Sequence, residues 1–132
     1  MQLTLSALLI GVTTMLFQSS NLSNWIGVWH AELDGQPSTI LTLAADDGPL
    51  QGTLVLNGIS RDAGTPHIAV HETHAILHPA LDGTKLSFAV KGVRGSNTTM
   101  NFIVEQTSNG RAQLHCLNCG DDAPTVEMTK QD

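Results

Sequence analysis

The chain has 132 residues, a formal charge of −6 and only 14% charged side chains. That length suits one domain with its own core and calls for no second one. Its six Lys and Arg are scattered and form no stripe that could follow a phosphate backbone, which excludes nucleic acid as a partner class.

The first 29 residues carry no Asp, Glu, Lys or Arg, and residues 3–17 (LTLSALLIGVTTMLF) form an apolar run of the length of a signal-peptide core. Residues 1–23 therefore read as an export signal. An uncleaved anchor and a buried first element are the alternatives, and the run is short for a membrane span, which takes about 20 residues. A membrane contact is expected only through this segment, if it stays uncleaved. Residues 24–132 read as one β-barrel domain of a secreted or periplasmic protein. Two glycosylation sequons, at Asn21 and Asn97, matter only in a eukaryotic secretory pathway.

From there the chain alternates in polarity between turn signals, the pattern of strands with one buried face. Trp29, Ala31 and Leu33 share a face, as do Leu41 and Leu43, then Leu54 and Leu56. The clearest strand is residues 85–91 (KLSFAVK), with Leu86, Phe88 and Val90 on one side; Met100, Phe102 and Val104 repeat the pattern. Ala112, Leu114 and Cys116 form the next inner face, which turns His115 outward, and Val126 and Met128 form the last. Asp34-Gly35, Asp82-Gly83 and Asn109-Gly110 supply the positive φ that tight hairpins need. The expected fold is all-β: about eight antiparallel strands in an up-and-down meander, which avoids free edges by closing into a barrel.

Four of the six histidines, His67, His71, His74 and His78, fall within residues 67–78. On a helix all four would line one stripe and make a transition-metal patch. Pro66 and Pro79 bracket the run, and Val70, Thr73 and Ile76 are β-branched, which favours a strand. A strand puts His74, Ile76 and His78 on one side and leaves His67 and His71 to an upstream extension. Glu72, next to His71, points away, so no carboxylate is expected beside a histidine. The expectation is a surface or cavity-rim histidine pair; a metal site of His71, His74 and His78 and a general acid/base histidine are the alternatives.

Cys116 and Cys119 are spaced for a small disulfide ring across a turn, which would pin the end of a strand. Free thiols and metal or redox chemistry are the other readings. The sequence carries no G-x-S-x-G, no H-E-x-x-H and no phosphate-cradling glycine loop, and its carboxylates cluster in turns, so no catalytic residues and no cofactor are expected.

Gly27-Val28-Trp29, an acidic Gly turn at Asp34-Gly35, and Leu50-Gln51-Gly52-Thr53 together resemble the opening of calycin-type barrels, the lipocalin and avidin-like architecture. Their order, followed by LDGTKLSFAVK and APTVEMTK, looks like a group of uncharacterised small exported bacterial proteins over most of residues 25–130. The resemblance implies a barrel with Trp29 plugging one end and implies no catalytic residues. With no Tyr and 4% aromatics, the aromatic-lined vitamin pocket of avidins is not expected.

The leading expectation is an exported, non-catalytic barrel whose interior is packed or holds a small hydrophobic ligand against Trp29, Leu41, Leu43, Leu54, Phe88, Met100 and Phe102. Extracytoplasmic metal binding through the histidine segment is one alternative. The other is an envelope-associated interaction or inhibitor module, with an unknown protein partner, using residues 59–71.

Overall fold

The computed structural model describes residues 22–46, 48–62 and 64–131. The predicted leader lies outside these except for Leu22 and Ser23, which open a helical turn ending at Trp25. Among the described residues no helix is long and apolar enough to cross a membrane.

Among the described residues, alternating polarity resolves into nine strands: β1 (Gly27–Leu33), β2 (Gln36–Ala44), β3 (Gln51–Ser60), β4 (His67–Ala75), β5 (Leu77–Asp82), β6 (Lys85–Lys91), β7 (Thr99–Ser108), β8 (Arg111–Cys116) and β9 (Val126–Gln131). All pairings are antiparallel, and the order across the sheet is β4-β3-β2-β1-β9-β8-β7-β6-β5. The sheet is an up-and-down meander whose first and last strands pair, His30 lying opposite Thr129. It curls until its two outer strands, β4 and β5, meet in the chain itself. The hairpin chemistry follows the sequence: Asp34 and Gly35 both have positive φ, 55° and 78°, the requirement of the tight turn whose twist matches its flanking strands.

The count differs from the expected eight because the histidine segment is two strands with a corner between them. β4 pairs with β3, β5 pairs with β6, and the buried Ile76 marks the change of partner, its N–H donating to the Gly52 carbonyl at 3.1 Å. Pro79 sits in the β5 bulge between Leu77 and Ala80, where an absent N–H breaks no ladder bond.

Curling buries side chains on one face of β1, β2, β3, β6, β7, β8 and β9, while β4 and β5 contribute no fully buried residue. Trp29, Leu41, Leu43, Leu54, Leu86, Val104 and Met128 are almost wholly shielded from water. Phe88 and Phe102, opposite each other on β6 and β7, stack at 5.4 Å. Trp25 packs on Trp29 at 5.6 Å and accepts its indole N–H on the Trp25 carbonyl at 2.9 Å, which satisfies the one polar atom of a fully buried side chain. Lys130 lies over the Trp29 ring and donates to the Asn24 carbonyl. These residues close one end of the curled sheet.

Candidate functional site: the open mouth of the sheet

The other end is formed where β1, β3, β6 and β8 finish and β2, β4, β7 and β9 begin. Bulges at Ala31/Glu32 and Gly58/Ile59 interrupt the ladders there. Above the packed layer of Leu41, Leu54 and Phe102, the inward residues are only partly covered: Leu56, Val93, Met100 and Val126, with Val70 exposed. They wall an open cavity of about 710 Å³ that Thr39, Asn57, Glu72 and Arg94 make partly polar. Ligand pockets commonly span roughly 300–1,000 Å³, mostly apolar with a few polar groups that fix orientation.

Register sets the polar wall. Leu54 opposes His74, Leu56 opposes Glu72 and Gly58 opposes Val70, and directly opposed residues share a face, so His74, Glu72 and Val70 all turn inward. Glu72 Oε1 accepts the Arg94 backbone N–H at 2.8 Å and lies 3.2 Å from His74 Nε2. An ionised carboxylate only accepts, so the proton of that second contact is on Nε2. The donated Arg94 N–H holds the Glu72 carboxyl below the usual 4.5; burial opposes this, and the bond and charge of His74 and the charge of Arg94 reinforce it. Glu72 thereby fastens the turn Val93–Gly95 to β4 across the seam. Arg94 has a left-handed backbone, φ 55°, and its guanidinium reaches over Gly58, where a Cβ would lie 3.9 Å from Nη2 and 3.3 Å from Val70.

This corrects the expectation that no carboxylate lies beside a histidine. Strand parity turns Glu72 away from His71, but the same parity places it beside His74, two residues on. The other histidines do not join them. His71 is exposed and bonded through Nδ1 to Asn57 Oδ1 at 2.7 Å. His78 has φ 51° in the β5 bulge and is exposed, whereas the His74 side chain keeps 15% of its exposure, so the expected shared face of His74 and His78 is broken at the corner. Among the described residues no three His, Cys, Asp or Glu side chains are placed to hold one metal ion.

Of the apolar residues singled out by sequence, Met100 lines the cavity, while Trp29, Leu41, Leu43, Leu54, Phe88 and Phe102 lie in the packed core beneath it. Leu56 and Val126, inward by alternation, carried a signal for the mouth; Val70, Val93 and Arg94 carried none without the sheet register. Cys116 and Cys119 form a disulfide. Their loop is anchored beside the mouth by Asn118, which accepts the Asn101 N–H and donates to the Thr99 carbonyl, both at 2.8 Å, so the end of β8 is pinned as the turn reading required.

No protein-family model, curated protein or solved structure matches this chain.

Proposed function

We propose that the protein is a non-catalytic binding barrel of calycin type that receives the apolar part of a small molecule through its open mouth. The observation that carries this reading is the cavity of about 710 Å³ walled by Leu56, Val70, Val93, Met100 and Val126, directly above a core that is already filled. A small barrel either packs its interior completely or keeps room for one ligand, and here the two conditions are divided between its ends. The Cys116–Cys119 bond and the charge-free apolar run at residues 3–17 support a place outside the cytoplasm, secreted or periplasmic.

The neutral fluorophore N-phenyl-1-naphthylamine tests it. The expected result is a saturable rise in fluorescence at one site per chain, weakened about tenfold by V70W, whose bulky ring narrows the entrance to the cavity. Val70 is 42% exposed, so the larger side chain does not disturb the core. No saturable binding to the folded protein would end the proposal.

A further inference from the structure

The connection between β8 and β9, residues 117–125, shapes the mouth at both of its ends. Its far end supplies Pro124 and Thr125 to the cavity wall, next to Val126. Its near end holds the start of β7. Beyond the last ladder pair, Phe102 with Cys116, the Leu117 N–H donates to the Asn101 carbonyl at 2.7 Å. The Asn118 side chain grips the Asn101 N–H and the Thr99 carbonyl, on either side of Met100. Met100 lines the cavity, so one short segment fixes the strand end that carries an apolar wall residue.

The Cys116–Cys119 bridge closes a ring around Leu117 and Asn118, the two residues that make those bonds. With the bridge intact, the untethered connection to β9 is residues 120–125. Without it, the connection is the whole of residues 117–125, and hydrogen bonds alone keep Asn118 in place. A crosslink limits the open conformations of the segment it encloses. The two sulfurs differ in access: Cys116 is 8% exposed and belongs to the core, whereas Cys119 is exposed in the loop. Exchange requires a thiolate to reach one sulfur, which makes exposed bridges the labile ones.

Resting on the binding function proposed above, we infer that Cys119 is a site of thiol–disulfide exchange through which a dithiol reductant loosens the mouth. A thiolate of the dithiol attacks the Cys119 sulfur and forms a new S–S bond there. The Cys116–Cys119 bond breaks, and its electron pair leaves on Cys116, which takes up a proton. The reagent's second thiolate then attacks the reagent sulfur of that mixed disulfide, closes the reagent's own disulfide and releases Cys119 as a thiolate, which is protonated in turn. Two electrons pass from the dithiol to the protein.

The whole protein, ¹³C-labelled at its methionine methyls, tests this with dithiothreitol as reductant and N-phenyl-1-naphthylamine as ligand probe. Under native conditions dithiothreitol should reduce the bridge, shift the Met100 methyl and leave Met128 in place. Probe binding should weaken about fivefold, the effect of releasing one or two ordered side chains, and reoxidation should restore it. N118A, with its bridge intact, should reproduce the Met100 shift and change less on reduction than wild type. Glutathione followed by acid quenching and peptide mapping should place the first adduct on Cys119. A bridge that resists dithiothreitol until the protein unfolds, or an adduct on Cys116, would overturn the assignment of Cys119. An unmoved Met100 methyl in the reduced protein, or unchanged affinity for a probe that the oxidised form binds, would overturn the coupling to the mouth. If the probe bound neither form, the proposed function would fall, and the Met100 shift would still decide this inference.

Discussion

Glu72 is the side chain on which the seam of the sheet turns. It spans from β4 to the turn Val93–Gly95, and the hydrogen bond it accepts there is from a backbone N–H, which any residue but proline at position 94 would supply. Because its folded pKa is depressed, the ionised carboxylate contributes stability that is fully present above the ordinary value of 4.5 and is lost as pH falls through the lower folded value. The wild-type protein should therefore melt higher than E72Q at neutral pH, with the difference shrinking below pH 4.5. Thermal melts of both proteins from neutral pH down into that range check this; a difference constant with pH would show that the Glu72 charge does not fasten the seam. The pairing of Glu72 with His74 was legible in principle, since residues two apart share a face on a strand. What hid it was the attraction of the four-residue histidine spacing, which selects the wrong neighbours.

At the scale of the element, alternation carried most of the fold. In Lys85–Lys91 the inner residues Leu86, Phe88 and Val90 are buried as the twofold period requires, and the same holds for Ala112, Leu114 and Cys116. The corner at Ile76 was not legible, because it depends on β3 and β6 arriving on either side of one continuous segment; Pro79 was its one local trace. A second contact invisible to sequence patterning lies at Gly52, where an added Cβ would fall inside the van der Waals envelope of the Thr42 carbonyl oxygen on β2. Glycine within a strand often marks such a close backbone approach. G52A should force β2 and β3 apart and cost about 2 kcal/mol or more, the range of substitutions that strain a packed backbone. G48A, in the preceding turn where a Cβ would meet nothing within 4 Å, serves as the control and should fall within about 0.5 kcal/mol of wild type. Urea unfolding separates the two; equal midpoints would mean that the β2–β3 ladder tolerates the displacement.

For the molecule as a whole, the sheet is asymmetric along its axis. One end is plugged by Trp25 and Trp29 beneath Lys130, and the other stays open, ringed by strand ends, the Val93–Gly95 turn and the disulfide loop. Sequence alone brought out the filled half, because large apolar residues in mid-strand are the strongest signal a β sequence carries. The open half is built from strand termini and loops, where Val70, Val93 and Arg94 have neighbours decided by register. The two methionines among the described residues mark the two halves: Met100 lines the mouth, and Met128 is buried in the core. Their ¹³C-labelled methyl resonances therefore report separately on cavity and core. Titration with N-phenyl-1-naphthylamine should shift the Met100 methyl in a saturable way and leave Met128 in place. An unmoved Met100 methyl, or a shift confined to Met128, would contradict a ligand site in the mouth.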